Sequence, residues 1–172
     1  MTCKDIIIVN HAKIPAAKNQ SGTISKECLN LVVFKLAQET YGIELEHIRE
    51  VCRLKDLTPI PCTPVFIEGI INYKGEILSI VNLQKFFDLP GESLFKSDHL
   101  IILESGPMMF GIIADAICDT ACVPRGRIRF TEHALDTIRQ PYLKGLTCEN
   151  VIILDGQKLL SDKKMSIYET GR

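Results

Sequence analysis

The chain has 172 residues, 46% hydrophobic and 24% charged, with a formal net charge of −1. That is enough for one compact unit or two small, closely packed ones, and the near-neutral charge excludes a bulk pull toward nucleic acid or anionic lipid. Its longest apolar runs, about five or six residues, are too short for a bilayer span, and no basic region leads into a signal-peptide core, so a cytoplasmic location without direct membrane insertion is expected.

Residues 1–27 read as a flexible tail: a β-prone Ile6-Ile7-Ile8-Val9 run, then the polar linker Ala16 to Thr23. Leu29 to Leu36 is the first strand, and Tyr41 to Leu45 alternates as a half-buried strand does. Glu46 to Val51 reads as a single helical turn. Pro61 and Pro64 then stiffen the chain ahead of two apolar runs, Val65 to Ile71 and Ile77 to Val81. Asn72-Tyr73-Lys74-Gly75 between them marks a β-hairpin. Gln84-Lys85-Phe86-Phe87 follows as one helical turn.

His99 to Leu103 and Met109 to Ala114 are strands joined by a turn at Ser105-Gly106-Pro107. Ile117 to Val123 is β-like and ends at Pro124-Arg125-Gly126-Arg127. Glu132 to Ile138 is a short helix or a loop. Pro141 to Leu146 and Val151 to Leu154 pair across Cys148-Glu149-Asn150, and Ser161 is placed to cap a final helix through Tyr168. The last residues, 169–172, are a short tail.

The chain resembles itself. Tyr41-Gly42-Ile43 recurs as Phe110-Gly111-Ile112. Phe66-Ile67-Glu68-Gly69-Ile70 recurs as Tyr142-Leu143-Lys144-Gly145-Leu146, and Gln84-Lys85 recurs as Gln157-Lys158. The common order points to duplication. Small β units remove their edges by closing, so the expected fold is mainly β: two barrels of about five strands sharing a core, with short helices.

Reactive groups form no recognisable catalytic set. His11, His47, His99 and His133 are scattered, and no Ser-His-Asp order is defensible. Asp115 and Asp119 read as solvated strand-end carboxylates, and Arg125, Arg127 and Arg129 as a solvated loop. No phosphate-binding glycine motif is present. Seven cysteines include no Cys-x-x-Cys, so several are expected as small buried hydrophobes in a reducing compartment. The rival reading is a metal- or thiol-dependent sensor or enzyme using Cys118 and Cys122. No catalytic residue, cofactor or metal is expected, which leaves a binding module.

Several stretches carry a family resemblance. They are Leu31 to Leu36, Tyr41-Gly42-Ile43, Ile48 to Val51, Pro61 to Leu83, Phe110 to Asp115, Tyr142 to Gly145 and Leu159-Leu160. Together they resemble the CheW family, coupling proteins of bacterial chemosensory arrays. The resemblance covers the core from about 29 to 168 and makes 28–168 the expected domain, with two interlocked SH3-like β-subdomains. It implies a non-catalytic adaptor between the regulatory domain of a CheA-type histidine kinase and the cytoplasmic tip of a methyl-accepting chemotaxis receptor. By motif match, Lys74 stands where the family usually has Arg, Ser79 where Pro is common and Asn82 where Asp is common. Partner contact is expected at Glu50, Asn72, Tyr73, Lys74 and Gly75, and at Ile48 if it lines the receptor groove rather than the core.

Overall fold

The computed structural model describes residues 28–91, 98–130 and 137–166. The expected tails, residues 132–136 and the end of the expected final helix lie outside them. Ten strands run as β1 (Cys28–Leu36), β2 (Glu39–Glu44), β3 (Ile48–Arg53), β4 (Ile67–Tyr73), β5 (Glu76–Val81), β6 (His99–Ser105), β7 (Met108–Ala114), β8 (Ala116–Pro124), β9 (Leu143–Leu146) and β10 (Ile152–Leu154). Two short helices, α1 (Leu83–Phe86) and α2 (Gly156–Ser161), each follow a hairpin. Among the described residues, no helix is long and apolar enough to cross a membrane.

The strands form two five-stranded sheets, in the orders β8-β1-β2-β10-β9 and β3-β6-β7-β5-β4. The orders are superimposable if β1 to β5 are matched with β6 to β10. Each sheet therefore takes a hairpin from one half of the chain and three strands from the other. β3 leaves the first hairpin to pair with β6, and β8 returns to pair with β1. The halves are cross-completed, so neither copy closes on its own strands. Each sheet also curls at its open side, where an isolated bridge joins Thr58 to Ile70 and another joins Arg129 to Leu146.

Local details repeat with the topology. The Asn82 N–H donates to the Phe66 carbonyl at 2.7 Å, and the Asp155 N–H to the Tyr142 carbonyl at 2.8 Å. Asn82 and Asp155 then cap α1 and α2 by accepting from the Lys85 and Lys158 N–H groups. Where the halves meet, the Phe86 ring lies 5.0 Å from Phe66 and 5.3 Å from Tyr142, both edge-on.

The largest core cluster draws on β1 to β7, β10 and both helices. A second cluster, including Ile71, Tyr73, Leu78, Leu100 and Ile102, fills the inside of the second sheet. β6 thus feeds both cores: Ile101 and Leu103 face one, Leu100 and Ile102 the other, all at 0% exposure. Burial on both faces explains its unbroken apolar run, each side chain contributing about 1.5–3 kcal/mol.

Several expectations are corrected. Ile48 to Val51 is strand, because the helical turn before it is a tight 3-10 turn confined to Leu45–His47. A 3-10 turn over Gln140–Tyr142 precedes β9, so Pro141 and Tyr142 are not in a strand. Ser161 ends α2; the following 3-10 turn, Lys163–Met165, is capped by Asp162. Asp115 is 4% exposed, not solvated: its Oδ2 accepts from the Ala37 N–H at 2.7 Å and ties the end of β7 to the β1–β2 turn.

None of the described cysteines is buried. Cys62, Cys118 and Cys148 are exposed, and Cys122 is disulfide-bonded to Cys28 across β1 and β8. The structure does not pair Cys118 with Cys122.

Candidate functional site

The β4–β5 hairpin presents a compact charged tip. Lys74 (φ 52°) and Gly75 (φ 90°) are both left-handed, the backbone of a two-residue turn that suits sheet twist. Gly75 adopts this freely. For Lys74 the turn is supported by Asn72, whose Oδ1 accepts from the Gly75 N–H at 2.9 Å. The charged side chain at the apex therefore projects from a defined backbone.

The tip reaches across to the opposite edge of its own sheet. Glu50, on β3, sits just after a bulge between Ile48 and Glu50. Its Oε2 accepts from the Tyr73 hydroxyl at 2.5 Å and from Lys74 Nζ at 2.9 Å. Edge strands β3 and β4 thus meet through side chains at this end. The Tyr73 bond and then the Lys74 ammonium hold the Glu50 carboxylate below its ordinary range, against partial desolvation. Lys74 Nζ also lies 4.8 Å from the centre of the Tyr73 ring. Tyr73 itself is anchored in the second core, only 9% exposed.

The structure brings Glu50, Asn72, Tyr73, Lys74 and Gly75 together. Asn72, Lys74 and Gly75 are exposed and Glu50 is half-buried. Ile48 does not join them: it is 0% exposed in the main core, so a partner could not reach it on this face. Ile43 and Val51 are buried, and Leu45 packs partly against the core. Arg49 was missed from sequence. It pairs with Glu104 at 2.7 Å beside the same cluster, a contact across 55 positions that no local pattern reveals.

Asn82 lies at the far end of the hairpin. Its Oδ1 accepts from the Lys85 N–H at 3.2 Å while its Nδ2 donates to Glu68 Oε1 at 2.8 Å. Lys85 Nζ reaches the same carboxylate oxygen at 2.6 Å. An aspartate could cap α1 but could not donate to Glu68, and its charge would face another carboxylate. Asn82→Asp is therefore expected to destabilise the chain by about 1 kcal/mol, with recovery when Glu68→Gln is added. Urea unfolding of both variants checks this; an unchanged Asn82→Asp midpoint would refute it. Ser79, the remaining departure from the family pattern, is 1% exposed opposite Ile70.

A family model for the CheW-like domain matches residues 30–164. The chain is 32% identical to the chemotaxis protein CheW of Treponema pallidum (strain Nichols), over 91% of this chain and 93% of that one. It is 31% identical to the chemotaxis protein CheW of Klebsiella aerogenes, over 86% and 89% respectively. The crystal structure of the scaffolding protein TtCheW from Thermoanaerobacter tengcongensis resembles it with a TM-score of 0.66 at 32% identity, covering 74% of this chain and 88% of that one.

Proposed function

The chain belongs to the CheW-like family, and on that premise we propose that it is a non-catalytic adaptor in bacterial chemosensory signalling, coupling receptors to a histidine kinase. The observation that carries this reading is the family match across both cross-completed halves, residues 30–164. The two partners we assign are the regulatory domain of a CheA-type kinase and the cytoplasmic tip of a methyl-accepting chemotaxis receptor. The tip formed by Glu50, Asn72, Tyr73, Lys74 and Gly75 is the contact surface we assign to them, in a chain spanning residues 28–168 as one domain.

An adaptor of this kind contributes no bond-making step. It contributes a coupling free energy: binding of one partner alters the affinity for, or arrangement of, the other. The cross-completed sheets suit that role. β3 and β8 each pair with a strand of the other half, so displacement of one half loads strands of both. The exposed charges at the tip suit recognition and register more than raw affinity.

The test is co-sedimentation of the purified chain with a receptor cytoplasmic fragment and the kinase regulatory domain at micromolar concentrations. Binding to each alone, and retention of the kinase domain on receptor fragments only when the chain is present, is the expected result. Binding to neither would overturn the adaptor reading.

A further inference from the structure

We infer that Glu44, Glu46 and His47 form a binding site for a divalent transition-metal ion of the zinc type. The site lies where β2 passes through the Leu45–His47 3-10 turn into β3. His47 Nε2 is 3.6 Å from Glu44 Oε2 and 3.7 Å from Glu46 Oε1. All three ligand atoms lie within 4.8 Å of one another. A tetrahedral zinc holds nitrogen and oxygen ligands at about 2.0–2.2 Å, hence roughly 3.3–3.5 Å apart. Small side-chain adjustments bring the three atoms onto that geometry.

Glu44 supplies the independent reason to place a cation here. It is 2% exposed. Its Oε1 accepts from Lys144 Nζ at 2.7 Å, but its Oε2 has no hydrogen-bond donor among the described residues. That buried oxygen points toward Nε2 at a distance too long for a hydrogen bond. An unsatisfied buried carboxylate oxygen is costly, and a metal shared with the imidazole would remove the penalty.

The second layer fits the same reading. A Cβ on Gly156 would lie 2.6 Å from His47 Cδ2, so glycine at the start of α2 leaves room for the ring. Glu46, 74% exposed, leaves the solvent side open for a water as fourth ligand. One imidazole and two carboxylates suit zinc, cobalt or nickel; calcium would require six to eight oxygens. Lys144, already on the other Glu44 oxygen, competes for charge, so micromolar rather than tighter affinity is expected. The expectation of no metal is revised here because the 3-10 turn brings Glu44, Glu46 and His47 together.

The experiment titrates the full chain with Co2+ and displaces it with Zn2+, independently of any partner. We expect one equivalent of Co2+ with d–d absorption and no thiolate-to-cobalt charge-transfer band. Glu46→Gln should weaken binding at least tenfold, and His47→Gln should abolish it. Absence of stoichiometric binding, a thiolate band, or wild-type affinity in Glu46→Gln would each overturn the assignment. Glu46 is exposed, so its variant keeps the test decisive even if His47→Gln fails to fold.

Discussion

Gly69→Ala is expected to destabilise the chain by about 2–5 kcal/mol, combining backbone strain with a close clash. Gly69 has φ +151°, a conformation that alanine rarely adopts. An added Cβ would strike the Thr58 carbonyl oxygen and lie 2.8 Å from its carbon and 3.1 Å from Pro59 Cα. These are backbone atoms, so no side-chain rotation relieves the contact. Thr58 is held in place because its N–H donates to the Ile70 carbonyl and its own carbonyl accepts from the Ile70 N–H, both at 2.9 Å. That bridge closes the second sheet, so relief would require opening it. Against a typical domain stability of about 5–15 kcal/mol, the loss should be visible as a large fall in urea midpoint.

Two comparisons isolate the cause. Gly75 also has positive φ (+90°), but a Cβ there meets nothing within 4 Å. Gly75→Ala should therefore cost only the conformational strain, about 1–2 kcal/mol. Gly145 is the equivalent of Gly69 in the other half, where a Cβ would meet the Ile128 Cγ2 methyl and lie 3.1 Å from the Arg129 carbonyl oxygen. A methyl can move, so Gly145→Ala should fall between the two. Equal losses for Gly69→Ala and Gly75→Ala would show that the Thr58 approach does not matter.

The matched glycines also show what could be read in the sequence. The apolar-Gly-apolar pattern around Gly69 and Gly145 identifies equivalent strands because each glycine meets the same need: close approach of the bridging segment. The capping positions Asn82 and Asp155, just before each Gln-Lys pair, are equivalent for a similar local reason. Strand exchange between the halves was not legible. Hydrophobic alternation records which face of a strand is buried, not which copy supplies its neighbour. β3 would have the same pattern whether it paired at home or with β6. Ile48 illustrates the limit more sharply. The sequence reads a helical turn over Glu46 to Val51 and leaves Ile48 open between receptor groove and core, whereas strand alternation across a bulge buries Ile48 completely and leaves Glu50 reaching the hairpin tip. The Lys-Gly turn was readable, since two-residue hairpins require positive φ. The Glu50–Tyr73 bond, 23 positions apart in sequence, depended on curvature of the sheet.

Lys74→Glu is expected to weaken binding of the receptor fragment or kinase regulatory domain about tenfold or more while leaving the fold intact. Lys74 Nζ is 2.9 Å from Glu50 Oε2, with 66% of its side chain exposed. Reversing its charge would remove the cation at the apex and set a carboxylate beside Glu50 and near Glu76, turning a mixed tip negative. The fold should tolerate this, because the Tyr73 bond to Glu50 remains and the Lys74 side chain carries no core packing. The melting temperature should move by about 2 °C or less. The deficit should fall mainly on the association rate and shrink at high salt, as expected for an exposed charge. Lys74→Arg provides the opposite arm: it restores the planar fork common at this position in the family and should bind as tightly as wild type or tighter. Unchanged affinity in Lys74→Glu would remove the tip from the interface, and a large fall in melting temperature would make Lys74 structural instead.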